Sequence, residues 1–332
     1  MAINAILPKL KTENTIVFLP SLFSNEDKLI LAPLQNLTNL FFRRTFSKYF
    51  PQCFDYALTP FISACSNSIK RSSPQFFDIL PENNQGLIDC VPQIIGNNAE
   101  YILQTCKVIE SLGYREVNIN MGCPKKDIVS RGRGAGMLKN ADLIKRITGS
   151  ILNNTSLQVS LKVRLGVKEN TDFEKLIPML NSLPLKNICI HPRRAVDFYE
   201  GEVDLPKFEE LVRKIRHTVI YNGDIFTLED FSRLKQRFPF ITHWMIGRGA
   251  LRNPFLAGNI RGISYEKSVL LKPFIFDLEE NFISNLKSNN EKLILGKMKE
   301  IMKYVCQGLE TDNQKFLHSN SLEEINKFIS EI

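Results

Sequence analysis

Polar residues of several chemical types follow short apolar runs in this sequence of 332 residues. They are amides, a thiol, an ammonium, a guanidinium and an imidazole, at Asn118, Asn120, Cys123, Lys162, Arg164 and His191. A thiol with an ordinary pKa of about 8.5 is protonated at neutral pH and suits the role of a general acid. These residues therefore form a candidate functional site, provided that one fold brings them together.

Two glycine-rich segments add a candidate phosphate site. They read Asn222-Gly223-Asp224 and Gly247-Arg248-Gly249-Ala250, and each follows an apolar run. Backbone N–H groups in glycine turns approach phosphate closely, and an arginine adds a permanent cation. Together the two segments indicate a phosphorylated ligand.

Eight short runs rich in β-branched residues alternate with amphipathic segments, which predicts alternating strands and helices. Helices are expected at residues 99–112, at residues 143–152 and after Thr227, whose hydroxyl is placed to cap a helix with Asp230 three residues on. The predicted strands are residues 29–32, 54–58, 89–94, 116–121, 158–164, 187–191, 218–222 and 244–247.

Strand followed by helix, repeated eight times, predicts an α/β fold of the (β/α)8 TIM-barrel type. A doubly wound sheet also alternates, but it rarely reaches eight strands and has a glycine-rich turn after its first strand. This chain has Pro33-Leu34-Gln35 at that point. We expect the barrel to span residues 28–262. A small C-terminal α-helical domain is expected at residues 266–332, and residues 1–27 form an N-terminal extension without an assigned role.

The composition of the chain excludes several classes of protein. The chain is 43% hydrophobic and 23% charged, which excludes a disordered protein. No apolar run reaches the ~20 residues that span a bilayer. The seven cysteines include no Cys-x-x-Cys pair, so neither a disulfide framework nor a metal site is indicated, and we expect a cytoplasmic protein. The net charge is +8, yet residues 266–332 hold nine basic against eleven acidic residues, so the basic excess lies in the barrel.

In TIM barrels the active site lies at the carboxyl ends of the strands, and the loops after strands seven and eight often bind phosphate. Flavin mononucleotide (FMN) would have its phosphate at the two glycine-rich segments and its ring near Gln93, Lys162 and His191. A lysine beside the pyrimidine edge of a flavin stabilises the negative charge that accumulates there on reduction. FMN is therefore the predicted cofactor.

Five motifs occur in order within the predicted barrel. They are Gln93-Ile94-Ile95-Gly96, Val117-Asn118-Ile119-Asn120-Met121-Gly122-Cys123-Pro124, Leu161-Lys162-Val163-Arg164-Leu165-Gly166, Tyr221-Asn222-Gly223-Asp224 and Ile246-Gly247-Arg248-Gly249-Ala250. Together they resemble the motifs of the bacterial tRNA-dihydrouridine synthases. The resemblance implies an FMN-bound barrel that reduces the C5–C6 double bond of particular uridines in tRNA with NADPH.

The resemblance also implies roles for single residues. Cys123 matches the catalytic acid of the family, and Asn120 and Arg164 match the uracil pocket. The matched flavin-contacting positions are Pro33, Leu34, Gln93, Lys162, His191, Asn222, Gly223, Asp224, Gly247 and Arg248. The chain departs from the family at Leu34, where methionine is usual, and after His191, where Pro192-Arg193-Arg194 replaces Gly-Arg-Thr.

Four basic residues follow Cys123 in a glycine-containing loop and form a candidate RNA contact beside a flipped uridine, at Lys125, Lys126, Arg131 and Arg133. The expected partner is tRNA, bound by a monomer. The alternatives are an FMN-barrel reductase of a free pyrimidine, similar to dihydroorotate or dihydropyrimidine dehydrogenase, a dihydrouridine synthase acting on ribosomal RNA, and an RNA-binding protein whose barrel has lost catalysis.

Overall fold

The computed structural model describes residues 22–64, 71–285, 291–311 and 314–331. Residues 1–21 of the predicted N-terminal extension lie outside the described residues, as do residues 286–290, 312–313 and 332 of the predicted helical domain. The strands form one sheet in which all pairs are parallel. They are β1 Lys28–Leu31, β2 Tyr56–Leu58, β3 Ile62–Ser63, β4 Cys90–Val91, β5 Gln93–Ile95, β6 Glu116–Met121, β7 Gln158–Gly166, β8 Asn187–Arg194, β9 Thr218–Asn222 and β10 His243–Ile246.

The sheet closes into a barrel through two interrupted strands. β2 and β3 are halves of one strand flanking Pro60, and β4 and β5 are halves of the next strand flanking Pro92. β2 pairs with β4 and β3 pairs with β5, while β1 pairs with both β2 and β10. The ten segments therefore form eight strands in a ring, which confirms the (β/α)8 barrel.

Helices connect the strands and cover the outside of the barrel. The helix at Leu228–Arg237, α8, begins with the predicted capping box, since the Thr227 hydroxyl accepts the Asp230 N–H at 3.1 Å and the Asp230 carboxylate accepts the Thr227 N–H at 3.2 Å. The helices are α1 Leu40–Tyr49, α2 Pro81–Asn84, α3 Ala99–Ser111, α4 Lys126–Val129, α5 Ala141–Asn154, α6 Ile177–Leu180, α7 Leu205–Val212, α8 Leu228–Arg237, α9 Arg248–Arg252, α10 Leu256–Ile260, α11 Lys267–Asn285, α12 Glu291–Leu309, α13 Gln314–Leu317 and α14 Leu322–Glu331.

Side chains alternate between the outside and the inside of the barrel along each strand. Outward residues such as Leu29 and Leu31 join the main core against the helices. The inward apolar residues form a separate cluster on β1, β2, β8, β9 and β10, made of Ile30, Ala32, Leu58, Cys189, Ile220 and Met245. The inward positions of β6 and β7 carry polar residues instead, so one side of the barrel interior is apolar and the other side is polar.

The C-terminal helices pack against the barrel. Helix α11 lies on α1, where the Phe274 ring meets the Phe42 ring edge-on at 6.1 Å and the Tyr49 hydroxyl donates to Asp277 at 2.8 Å. Helix α12 lies on α9, and Gln307 accepts a hydrogen bond from Arg252 at 3.1 Å. The helical region is therefore attached beside the carboxyl ends of the strands, because α9 follows directly after β10. Within the described ranges, every helix is too short or too polar to cross a membrane.

Candidate active site

A cavity opens at the carboxyl ends of the strands and contains about 480 Å³ of space between the atoms, including solvent at its open side. It is lined by Ala32, Pro33, Leu34, Lys162, His191, Tyr199, Asn222, Gly223, Asp224, Ile225, Phe226, Met245, Gly247, Arg248 and Gly249. The cavity brings together nine of the ten residues that the resemblance assigns to flavin contact. Gln93 is the exception.

Lys162 is the inward residue of β7 that reaches the cavity. Its side chain is partly buried, and no hydrogen bond or ion pair joins its ammonium to another residue in the part of the chain that the structure describes. Burial lowers the pKa of Lys162, and the nearby Arg164 guanidinium lowers it further. An unpartnered cation at the wall of a cavity favours a ligand that offers hydrogen-bond acceptors or negative charge.

His191 lies two residues past the buried Cys189 on β8 and also points inward. The residue is 6% exposed, and its Nε2 atom is 3.2 Å from an Arg193 Nη1 atom. Burial holds the pKa of His191 well below its ordinary value, and the surrounding cations, first Arg164 and then Lys162, add to the shift. The imidazole is therefore neutral at physiological pH.

Asp224 joins two arginines at the rim of the cavity. Its backbone φ of +40° lies in the left-handed region, which aspartate tolerates better than most residues. Oδ1 accepts hydrogen bonds from Arg193 Nη1 at 2.9 Å and from Arg248 Nη2 at 2.6 Å, and Oδ2 accepts a hydrogen bond from Arg193 Nη2. The carboxylate thus fixes the position of Arg248 and leaves one surplus positive charge beside the two glycine-rich segments.

Glycines let the backbone come close at this rim. A Cβ atom on Gly249 would lie 2.0 Å from the Ile225 carbonyl oxygen, so the start of α9 can approach the loop after β9 only without a side chain. A Cβ atom on Gly223 would lie 2.9 Å from Val203 Cγ1. The two segments predicted to bind phosphate are therefore packed against each other.

Cys123 lies in the loop that follows β6, and two neighbouring side chains hold this loop. Asn120 Oδ1 accepts the Gly122 N–H at 3.1 Å and the Cys123 N–H at 2.9 Å, and Arg164 Nε donates to the Gly122 carbonyl at 3.0 Å. Burial raises the pKa of the Cys123 thiol, although the Lys125 backbone N–H and the Lys125 and Arg164 charges oppose the shift. The thiol is therefore protonated at neutral pH.

A chain of amide hydrogen bonds lies beneath the Cys123 loop. Asn120 Nδ2 donates to Gln93 Oε1 at 2.7 Å, Gln93 Nε2 donates to Asn118 Oδ1 at 2.8 Å, and Asn118 Nδ2 donates to Ser160 Oγ at 3.0 Å. Gln93 is fully buried and does not line the cavity. The structure thus places Gln93 under the site, where it supports Asn120.

Arg164, the second residue matched to the uracil pocket, is 2% exposed. Besides the Gly122 carbonyl it binds the Arg194 carbonyl through Nη1 at 2.9 Å. Burial lowers its pKa to about 10, but the guanidinium remains charged at neutral pH. Neither Arg164 nor Asn120 lines the cavity, and both make hydrogen bonds to the backbone of the surrounding loops.

The four basic residues after Cys123 do not line the cavity either. Lys125, Lys126 and Arg131 are exposed, whereas Arg133 is half-buried and donates through Nε to Asn97 Oδ1 at 3.4 Å. Part of the segment forms helix α4 where the sequence predicted a loop, because backbone N–H groups of residues 128–130 bond to the carbonyls of Lys125 and Lys126. The exposed cations therefore lie on an ordered surface next to Cys123.

Sequence reasoning missed two residues of this site. Arg193 has the same inward parity on β8 as His191, and this spacing was the signal that could have found it. Tyr199 is 44% exposed at the cavity wall, and its ring centre lies 5.3 Å from the Arg164 guanidinium carbon and 4.7 Å from that of Arg248. No pattern in the sequence links Tyr199 to those arginines. Within the described ranges no three His, Cys, Asp or Glu side chains are grouped to hold a metal ion.

Comparison with known proteins identifies the family. A family model described as dihydrouridine synthase matches residues 30–329. The chain is 25% identical over 255 residues to tRNA-dihydrouridine synthase B of Pasteurella multocida, covering 75% of this chain and 73% of that protein. It is 28% identical over 261 residues to a probable tRNA-dihydrouridine synthase of Helicobacter pylori, with 75% of each protein covered.

Solved structures with the same architecture are more distant in sequence. An old yellow enzyme homologue from Zymomonas mobilis superposes with a TM-score of 0.53 at 11% identity, covering 75% of this chain and 93% of that chain. Histamine dehydrogenase from Rhizobium sp. 4-9 superposes with a TM-score of 0.56 at 8% identity, covering 77% and 49%. These likenesses concern the barrel fold. Because the family model spans nearly the whole sequence, the chain belongs to the dihydrouridine synthase family.

Proposed function

We propose that this protein is a flavin-dependent tRNA-dihydrouridine synthase, which reduces the C5–C6 double bond of uridines in tRNA with FMN as cofactor and NADPH as reductant. The observation that carries the proposal is the cavity with the Lys162 ammonium, which has no partner among the described residues and lies close enough to the protonated Cys123 thiol to interact with it. Family membership supplies the reaction class, and the cavity supplies a place for the cofactor.

The residues of the cavity fit FMN. The Arg248 guanidinium and the close-packed glycine segments suit a phosphate group, and the Lys162 ammonium, which no described residue binds, suits the acceptor-rich edge of a flavin ring. When bound, FMN supplies the hydride that is transferred to C6 of the uracil. The residues that would hold it are Pro33, Leu34, Lys162, His191, Asn222, Gly223, Asp224, Gly247 and Arg248. Gln93 would act from below through Asn120.

Cys123 is the proposed proton donor to C5 of the uracil. Its raised pKa keeps a proton on Sγ at neutral pH, as a general acid requires. Asn120 and Arg164 hold the backbone on both sides of Gly122, so they fix where the thiol stands. We further propose that these two side chains contact the uracil ring once it enters the site.

A uridine in folded tRNA has to leave its stack to reach this recessed cavity, and that movement requires an anchored backbone. The exposed cations Lys125, Lys126 and Arg131 lie in the segment directly after Cys123 and are suited to phosphate contacts. Residues 266–332 carry no basic excess, so we propose that this helical domain positions the tRNA by shape.

The test is nucleoside mass spectrometry of RNA from cells that lack the protein, with tRNA and ribosomal RNA purified separately. We expect a uridine that is heavier by two hydrogen atoms to disappear from tRNA. The wild-type gene should restore it, and the Cys123→Ala gene should not. Loss from ribosomal RNA would overturn the substrate assignment. Unchanged RNA of both kinds would favour a reductase of a free pyrimidine.

A further inference from the structure

Arg193 is a buried arginine whose five N–H groups all have acceptors. Its side chain is 2% exposed. Nε donates to the Glu200 carbonyl at 3.2 Å, and Nη2 donates to the Gly201 carbonyl and to Asp224 Oδ2. Nη1 donates to Asp224 Oδ1 at 2.9 Å and lies 3.2 Å from His191 Nε2. The guanidinium is therefore held from several sides, and one of its N–H groups is directed at the imidazole.

In the contact between Arg193 and His191, only one assignment of donor and acceptor is chemically reasonable. A guanidinium carries five donors and no acceptor, and it stays charged at every physiological pH. His191 Nε2 must therefore accept, so the proton of the neutral ring is on Nδ1. A proton on His191 Nε2 would point at the Arg193 Nη1–H group, and two donors would face each other without an acceptor. This excludes both the Nε2–H tautomer and the imidazolium ion as long as Arg193 keeps its position.

We propose that Arg193 is a positioning residue that fixes His191 as the neutral Nδ1–H tautomer, so that the imidazole presents a single donor to a hydrogen-bond acceptor in the cavity. Among the described residues Nδ1 has no hydrogen-bond partner, and the ring lines the cavity. The identity of the acceptor rests on the proposed function: it would be a carbonyl oxygen or an unprotonated ring nitrogen of the flavin. The tautomer itself follows from Arg193 alone.

The surrounding charges agree with this assignment. Lys162, Arg164 and Arg248 act on His191 together with Arg193, and all four disfavour a protonated ring. Asp224 is the carboxylate near this group, and it is paired with Arg193 and Arg248. Asp224 therefore holds Arg193 in place and does not draw a proton onto His191.

The test is NMR of flavin-free protein that carries ¹⁵N-labelled histidine, with long-range proton–nitrogen spectra that distinguish Nδ1 from Nε2. The chain has four histidines, and the His191 signals are those that disappear in His191→Asn. We expect wild-type His191 to show a protonated Nδ1 and an unprotonated Nε2. Arg193→Met should give a mixture with Nε2–H populated, and its His191 should titrate at a higher pH.

Arg194→Met is the matched control. Arg194 is the next residue, its side chain is 45% exposed, and it bonds to Asp197 and to the Lys168 carbonyl without contacting His191. The control should keep the wild-type tautomer. A second readout is FMN affinity, measured by quenching of flavin fluorescence. Arg193→Met should raise the Kd by the inverse of the fraction of His191 rings that keep the Nδ1–H tautomer, about fivefold if one ring in five keeps it, and Arg194→Met should leave the Kd unchanged.

Several outcomes would overturn the proposal. An Nε2–H tautomer or an imidazolium ion in the wild-type protein would do so even if Arg193→Met failed to fold. A pure Nδ1–H tautomer in Arg193→Met would show that Arg193 is not its cause. Equal Kd changes in both arginine variants would remove the link to the cofactor. If the wild type bound no FMN at all, the proposed function would fail, but the tautomer would still be decided by the flavin-free spectra.

Discussion

Lys162→Met should stabilise the flavin-free protein and weaken its binding of FMN. The Lys162 ammonium lies at the cavity wall without a partner among the described residues, and burial lowers its pKa. The charged Lys162 ammonium therefore destabilises the flavin-free fold, and a ligand with hydrogen-bond acceptors would remove this penalty. Methionine has a similar length and carries no charge, so the substitution removes this penalty and also removes the contact to the ligand.

The size of the effect follows from the environment. Removing a buried polar group that lacks a partner should raise the free energy of unfolding by about 1 to 3 kcal/mol. For a large domain this corresponds to a rise in Tm of about 2 to 6 °C. Loss of a charge-assisted hydrogen bond should raise the Kd for FMN roughly 10- to 100-fold. The pKa of Lys162 is lower in the folded protein than in the unfolded chain. The charged ammonium therefore destabilises the fold fully below the folded-state pKa, and this destabilisation decreases as the pH rises towards the pKa of the unfolded chain. The difference in Tm between Lys162→Met and the wild type should accordingly narrow in alkaline buffer.

The assay pairs thermal unfolding of the flavin-free protein with titration of FMN. Lys207→Met is the matched control, because the Lys207 side chain is 11% exposed and its Nζ lies 2.6 Å from Glu174 and 2.8 Å from Glu210. This control should lower the Tm and leave the Kd for FMN unchanged. If Lys162→Met lowers the Tm as Lys207→Met does, Lys162 has a partner in the folded protein and the reasoning is refuted.

Further predictions concern the acid, the fold and the binding of RNA. Cys123→Ala should keep reduction of the flavin by NADPH and stop reduction of uridine, as followed by stopped-flow absorbance and by nucleoside mass spectrometry. Peptide mapping should show that iodoacetamide alkylates Cys123 more slowly than free cysteine at neutral pH, because its pKa is raised. Thr227→Ala removes the cap of α8 and should cost about 1 kcal/mol in urea unfolding. The salt dependence of tRNA binding should weaken when four basic residues are neutralised together, namely Lys125, Lys126, Arg131 and Arg133. In a plot of the logarithm of the binding constant against the logarithm of the salt concentration, the slope should fall in magnitude by roughly 0.7 to 0.9 for each phosphate contact that is lost.

The barrel could be predicted from sequence because each strand is a short apolar run bounded by turn residues. The interruption of two strands was not predicted. The strand expected at residues 89–94 is divided at Pro92, which has no N–H group to donate to a neighbouring strand. The strand expected at residues 54–58 resumes as β3 after Pro60, which also lacks an N–H group, and this second half was not expected. Strand β8 continues to Arg194, three residues past its expected end, because Gly166 on β7 still pairs with it. Strand ends depend on the partner strand, which local sequence does not specify.

The cavity could also be predicted in large part, since the rule that polar residues end barrel strands selects inward side chains at the correct end. The rule does not say how deep in the barrel each inward side chain lies. Gln93 was expected at the cavity, but it lies one layer lower, where its amide is used by Asn118 and Asn120. Arg193 was missed because its importance depends on Asp224, which lies 31 residues away in sequence. Contacts of this kind arise when β8 and β9 pair side by side, which local sequence does not specify.

The mouth of the barrel concentrates positive charge more strongly than the composition of the chain indicates. Lys162, Arg164, Arg193 and Arg248 surround His191, and Asp224 is the carboxylate that binds two of them. Burial, with a smaller contribution from mutual repulsion, makes this arrangement unfavourable without a ligand and lowers the pKa of Arg164 to about 10. An anionic cofactor relieves the repulsion, so its binding should stabilise the fold as well as supply chemistry. The same surplus charge attracts a polyanion towards the mouth. Under the proposed function, one electrostatic feature of the barrel would therefore serve both the phosphate of the cofactor and the backbone of the RNA.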